Sequence, residues 1–392
     1  MVQGFDAAAA TAAYLAVLTP EANAKAQAYT QGGHWLLLWT TLVGVGIAWL
    51  ILKSGLTARV TAWVSGGKSR PWRAVALGVL VYSLAEAILN LPWAAYSGWW
   101  REKTYGLTSQ PFAGWLGEWA LGGVIGLVLT TLLASLIYAL MRRAPKTWWL
   151  WSGGVTTLAF LALQVIAPVV IMPLFNDFTP APPGPVRDTV VAMAKANGVP
   201  SDKIFIYNGS KQSNRYTANV AGLFGSARVA MSDTMFKQGA DIAEVKGVVG
   251  HEMGHYVLGH AMRGALELGL LALIAFFLID RLYPVVLRWT GVASVGPISD
   301  PAGLPVIMII LAVIGLLATP LSSSITRISE AEADTFSLER VNEPDGLAKA
   351  LVKTIEYRAA TPSRLEEVLF YDHPSVGSRV RKAMDWKAKH PK

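Results

Sequence analysis

The sequence predicts a mainly α, polytopic membrane protein: about six transmembrane helices, with one small α+β domain outside the bilayer. Three observations predict it. Only 15% of the 392 residues are charged, against about 25% in soluble domains, while 53% are hydrophobic. The apolar residues gather into six long runs. Between the fourth and fifth runs, from residue 176 to about 245, the chain turns water-soluble in character and its apolar residues alternate in short stretches.

Residues 1–33 hold an Ala-rich stretch but no basic region before it, and are too weakly apolar for a span, so an interfacial or cytoplasm-facing helix is expected. The first span covers about 34–52, and a Gly-, Ser- and Arg-rich loop is expected over 53–73. The second span, about 74–93, ends beside Pro92 and carries Tyr82, Glu86 and Asn90 on one helical stripe. An ionisable group is costly in lipid, so the stripe should face a protein or water-filled interior, where a hydrogen bond between helices explains it as well as chemistry does. A polar segment follows over 96–117, then a third span over about 118–140 and a fourth over about 148–174. Trp99, Trp100, Trp148, Trp149 and Trp151 cluster at span ends, as an interfacial belt requires.

In the polar stretch, Pro180, Pro182, Pro183 and Pro185 predict an extended linker. A helix is expected over 186–197, a strand over 203–207, and a hairpin from 217–223 and 228–232. A helix over 241–260 runs on into the fifth span, about 264–283, and the sixth returns over about 304–321. The expected divisions are an N-terminal segment (1–33), four spans (34–175), a soluble subdomain (176–262), a span pair (263–323) and a C-terminal subdomain (324–392).

The chemistry centres on His251-Glu252-Met253-Gly254-His255, an HExxH motif on the 241–260 helix. Positions four apart share a helix face, so two imidazoles there can bind one Zn²⁺. Zinc brings the pKa of a water toward neutrality, and the adjacent carboxylate of Glu252 can take its proton and pass it to a leaving amine. A chance match on a solvated helix would have charged flanks, whereas Val248, Val249, Val257 and Leu258 are apolar. His260 lies nine residues after His251, which turns it off the ligand face to a place behind the ligands or at the surface.

A two-His zinc site needs a third protein ligand and one open position. Spans five and six form a pair, so the chain beyond residue 321 returns to the side of His251. There stands Glu330-Ala331-Glu332-Ala333-Asp334 on a helical pattern. Glu330 and Asp334 share a face: Glu330 is assigned as the third ligand, and Asp334 as the carboxylate that accepts a hydrogen bond from a ligating His and fixes its tautomer. Glu332 points elsewhere. The competing reading is an acidic start to a solvated helix. In the tail, His373 precedes Pro374 and is followed by Arg379. His373 can donate to the oxyanion of a tetrahedral intermediate and Arg379 can add positive charge. A surface turn is an even alternative.

Taken together, these stretches resemble the type I CAAX prenyl proteases, integral-membrane metallopeptidases of the gluzincin kind. The resemblance runs from about Pro20 to Arg379. It rests on Thr19-Pro20-Glu21, on Pro92-Trp93 with Tyr96 and the run from Glu102 to Leu107, on the run from Pro173 to Pro180, and on the HExxH, Glu330–Asp334 and His373-Pro374 motifs. It implies zinc ligands at His251, His255 and Glu330, Glu252 as general base, and substrate or transition-state contacts from His373 and Arg379. It implies an intramembrane chamber, with Glu86 and Asn90 lining it. It also implies an edge strand that holds extended substrate, which here is Thr217-Ala218-Asn219-Val220, placing Asn219 against the peptide although this stretch departs from the family pattern. Six spans stand here where eukaryotic relatives have seven.

With no cysteine the chain has neither disulfides nor thiolate metal sites. The net charge of +8 fits contact with anionic lipid, and no interleaving of aromatic and basic residues suggests nucleic acid. The composition looks bacterial, so an inner membrane is expected. Ten Lys/Arg fall in the short loops opposite the HExxH side and three in the short segments on it, which favours an external domain, while the resemblance implies a cytoplasmic one and is preferred. The expected activity is a zinc endopeptidase with one Zn²⁺ per chain, processing C-terminal CAAX-type peptides with or without a prenyl group. The alternatives are a membrane-protein quality-control protease without prenyl specificity and, in another class, an inactive scaffold or a transporter. The oligomeric state is not legible.

Overall fold

The computed structural model describes residues 5–66, 70–237 and 239–391. Residues 1–4 of the N-terminal segment, 67–69 of the expected 53–73 loop and 392 of the C-terminal subdomain lie outside the described residues.

The chain begins with α1 (Ala7–Leu15), capped by Asp6, whose carboxylate accepts from Ala8 N at 2.9 Å. Then α2 (Pro20–Ser54) starts at the Thr19 cap with Pro20 in its first turn. Both are start signals, because the hydroxyl satisfies an orphan N–H and proline has none to satisfy. The first span is therefore the second half of a longer helix, and residues 20–33 belong to it. α1 is no isolated interfacial helix: Ala7, Tyr14 and Leu15 pack into the C-terminal core, and Tyr14 Oη donates to Asp345 Oδ1 at 2.7 Å.

Gly55, at φ 67°, ends α2, and the chain turns into α3 (Leu56–Ser65) where a loop was expected. α3 folds back on α4 (Pro71–Ala95), and Thr57 Oγ1 donates to Ala302 O at 2.9 Å. A wider turn over 96–100 carries α4 into α5 (Arg101–Thr104), so the start of the expected polar segment is helical. Next come α6 (Phe112–Arg143) and α7 (Trp148–Ile166), the latter prolonged by tighter and wider turns to Leu174.

The soluble stretch supplies β1 (Phe178–Pro180), α8 (Pro185–Ala196), β2 (Ile204–Tyr207), β3 (Ala218–Ala221) and β4 (Arg228–Ser232). The sheet order is β1-β2-β4-β3. β3 pairs antiparallel with β4 in the expected hairpin, β2 runs parallel to β4, and β1 pairs antiparallel with β2. β1, which was not expected, runs up to Pro180, the first residue of the expected linker. Its Pro180 is tolerated because an edge strand has N–H positions that pair with nothing. β4 is buried along its whole length, and β3 is the other edge.

Beyond the sheet come α9 (Ile242–Val257), α10 (His260–Thr290), α11 (Leu304–Val341), α12 (Pro344–Lys353), α13 (Arg364–Phe370) and α14 (Val376–Lys389). The HExxH helix does not run on into the fifth span: Gly259, at φ 69°, separates them. At 38 residues α11 is about 57 Å long, roughly twice the hydrocarbon core of a bilayer, so its last turns stand clear of the membrane.

Six helices are long and apolar enough to cross a membrane, among the described residues. Their contacts close a ring: α2 on α4, α4 on α6, α6 on α7, α7 on α10, α10 on α11, and α11 on α2. One end of the ring is plugged by an apolar core that draws on all six, including Leu52, Val79, Tyr138, Trp148, Ile279 and Ile310. The opposite ends meet the sheet and α9. Only 11–28% of each span's most apolar window is buried against protein, which leaves most of it to face lipid or the interior of the ring. Glu86 is half-buried in α4, with Asn90 one turn on as its hydrogen-bond partner. Arg215, in the segment before β3, pairs with Glu102 of α5 at 2.6 Å, and Tyr29 of α2 also hydrogen-bonds Glu102. These contacts dock the soluble domain on the ends of the spans.

Candidate metal centre

α9 starts at the Asp241 cap, whose carboxylate accepts from Ala243 N at 2.8 Å. Its inner face is built from small residues. A Cβ at Gly247 would meet Leu347 N at 2.5 Å, and one at Gly254 would meet Ala333 Cα at 3.0 Å. Only glycine lets α12 and α11 approach so closely, and that approach lays Glu330 over the His pair.

His251 and His255 project one turn apart toward α11. Their Nε2 atoms are 3.1 Å apart; Glu330 Oε2 is 3.1 Å from His251 Nε2, and Oε1 is 3.3 Å from His255 Nε2. The three side chains each present one ligand atom, all within 4.8 Å of one another. Glu330 Oε2 is buried and receives no hydrogen bond. Lone pairs converging on one buried point repel unless a cation sits among them, so the residues fit a metal ion.

The groups behind the ligands fit too. His251 Nδ1 is 2.9 Å from Asp334 Oδ1, and a proton there leaves the Nε2 lone pair facing Glu330. Arg379 holds Asp334 as a fork, Nε to Oδ2 and Nη2 to Oδ1, both at 2.7 Å. Burial depresses the His251 imidazole, but the hydrogen bond to Asp334 outweighs it and its pKa rises to about 9.

Glu252 lines a cavity of about 170 Å³ together with His251, Glu330, His373 and Arg379. Burial raises its carboxyl above the ordinary value of 4.5, toward the range a general base needs. His373 stands across from it, with Nε2 3.2 Å from Glu330 Oε2 and Nδ1 2.8 Å from Asp372 Oδ1. Burial lowers its imidazole. Arg379 is 7% exposed, and its guanidinium is engaged by Asp334. Thr217 and Ala218, at the start of β3, form the rim of the same cavity. Asn219 is opposite Ala230 in register, and its Oδ1 is buried without a partner. A second cavity, about 400 Å³, opens on the membrane side of His255 and Glu330, between Val220, Leu268, Leu271 and Ile325.

His260 lies behind the ligands, one of the two places expected for it, and reaches His255 more closely than its helical phase implies: its Nδ1 is 2.9 Å from His255 Nδ1 and its Nε2 is 3.0 Å from Glu332 Oε2. In an unbroken helix the five steps from His255 would carry it about 140° around the axis. The turn at Gly259 swings it back. The signal was in the sequence, since Gly after a helical run favours a left-handed cap that ends the helix.

Fold and site together define a membrane-embedded metalloendopeptidase. The chain belongs to peptidase family M48, whose family model matches residues 180–387. A second model, described as CAAX prenyl protease N-terminal, five membrane helices, matches residues 7–177. An uncharacterized metalloprotease YhfN of Bacillus subtilis is 28% identical over 93% of this chain and 86% of its own length. The CAAX prenyl protease 1 homolog of Arabidopsis thaliana is 28% identical over 78% of this chain and 71% of its own. The crystal structure of S. mikatae Ste24p superimposes with a TM-score of 0.76, covering 94% of this chain and 89% of that one at 22% identity, a likeness in fold.

Proposed function

We propose that the chain is a zinc-dependent endopeptidase that trims the C-terminal residues of CAAX-type peptides, with or without a prenyl group, at the cytoplasmic face of a bacterial cell membrane. The observation that carries this reading is the convergence of His251, His255 and Glu330 on one buried point, with Glu252 beside it. Two nitrogens and one carboxylate from a helix pair suit zinc with an open position for chemistry.

His251, His255 and Glu330 would hold the ion, one per chain. Bound there, zinc supplies a Lewis acid that polarises the scissile carbonyl and acidifies water. Glu252 takes the proton of the attacking water and returns it to the leaving nitrogen. His373, on the opposite wall, donates to the oxyanion as the carbonyl carbon becomes tetrahedral. Arg379 acts mainly by holding Asp334, and its charge adds to the field at the oxyanion. The edge strand β3 offers backbone groups to an extended peptide, and Asn219 lies on that strand with its side-chain carbonyl buried and unpartnered.

The substrate class is supported by relatives named CAAX prenyl protease 1, in Arabidopsis thaliana and Saccharomyces cerevisiae among others, and by the apolar cavity beside the ligands, which suits aliphatic C-terminal residues. The cell-membrane assignment is supported by the Bacillus subtilis relative. The cytoplasmic face follows the family; Lys246, Arg263 and Arg327 add positive charge on the protease side.

The test uses two fluorogenic peptides, one farnesylated at a C-terminal CAAX box and one identical but unprenylated, with purified protein in detergent. The wild type should cut the farnesylated peptide, and Glu252→Gln should cut neither. Equal cleavage of both peptides would remove the prenyl preference and favour quality control. Cleavage by Glu252→Gln at the wild-type rate would remove the mechanism.

A further inference from the structure

We propose that His260 is a positioning residue for the metal centre: it accepts the Nδ1 proton of His255 and so keeps the His255 Nε2 lone pair aimed at the ion. The proposal rests on the assignment of His255 as a ligand.

The geometry leaves one consistent placement of protons. Glu332 Oε2 is a carboxylate oxygen and accepts only, so His260 Nε2, 3.0 Å away, carries a proton. The neutral imidazole then has a bare Nδ1. That atom faces His255 Nδ1 at 2.9 Å, so His255 Nδ1 is the donor. His255 Nε2 is left unprotonated, directed at His251 Nε2 and Glu330 Oε1. The opposite tautomer of His260 would set two acceptors against each other at Glu332. It would also put a proton on the ligand atom.

Three features fix this relay in place. His260 is 8% exposed, so its imidazole is largely shielded from solvent. Gly259, at φ 69°, breaks the helix and turns His260 back against His255. Arg263, one turn further along α10, pairs with Glu332 Oε2 at 2.8 Å and donates to Ser329 Oγ at 2.6 Å, next to the ligand Glu330. The two imidazoles are thus backed differently: His251 by a carboxylate directly, His255 by an imidazole whose own tautomer a carboxylate sets. Partners of this kind, when removed, weaken metal affinity about 10- to 100-fold.

The experiment compares the full-length wild type with His255→Ala, His260→Ala, His260→Asn and Glu332→Ala in detergent. It measures zinc affinity by chelator competition, the visible spectrum of the cobalt-substituted protein, and thermal unfolding. His260→Ala should fold, bind zinc about 10- to 100-fold more weakly and show an altered cobalt spectrum. His260→Asn, whose side-chain oxygen can still accept from His255 Nδ1, should recover most of the affinity, and Glu332→Ala should fall between. Wild-type affinity and spectrum in His260→Ala would overturn the proposal, provided His255→Ala has lost its zinc. Equal losses in His260→Ala and His260→Asn would also overturn it, since packing alone would then be at stake. Stoichiometric zinc in His255→Ala would overturn the ligand assignment itself and this proposal with it.

Discussion

Asp334 serves two partners through its two oxygens: Oδ1 takes the His251 proton and one arm of Arg379, and Oδ2 takes the other arm. It is 2% exposed, and an ion so deep carries a desolvation penalty of several kcal/mol unless it is paired. Arg379→Met should therefore lower stability by about 3–5 kcal/mol, read as a large drop in thermal unfolding temperature; an unchanged transition would show that Asp334 is not held by this pair. Glu252→Gln leaves this scaffold alone. It should reduce kcat about 10²- to 10⁴-fold while zinc content stays at wild-type level, and loss of zinc along with activity would move Glu252 from proton transfer to metal binding.

At the scale of elements, the site exists because α9 and α11 touch through Gly254 and Ala333. Gly254→Val should force the two helices apart and abolish stoichiometric zinc although every ligand is still present. Gly264→Ala, where an added Cβ meets nothing within 4 Å, is the matched control and should bind zinc normally. Retained zinc in Gly254→Val would mean that the helices can separate without moving Glu330. Much of this arrangement is legible in the sequence. HExxH carries its own spacing, and counting spans returns Glu330 to the correct side. Helix ends are less legible because polarity resembles loop: residues 20–33 and 56–65 are polar in part yet helical. His260 lies behind the ligands as expected, but its contact with His255 is hidden, because helical phase does not carry across Gly259. β1 is hidden because three residues beside a proline carry no periodicity.

For the whole molecule, the ring of six spans is plugged at one end and joined to the metal centre at the other, so the side of the membrane that holds the protease domain is open to direct test. The chain has no cysteine, so single introduced thiols report topology cleanly. Lys195→Cys on the protease side and Arg59→Cys at the opposite end are both exposed. In intact cells an impermeant maleimide should label Arg59→Cys and spare Lys195→Cys; the reverse pattern would place the protease domain outside the cytoplasm, as the charge count of the short loops favours. The metal centre itself depends on chain segments far apart in sequence, brought together only by this topology. The most direct test is therefore the metal content of purified Glu330→Ala beside the wild type, with circular dichroism to establish that both are folded. One zinc per wild-type chain and little in the variant is the predicted result. Stoichiometric zinc in folded Glu330→Ala would contradict the metal centre described here.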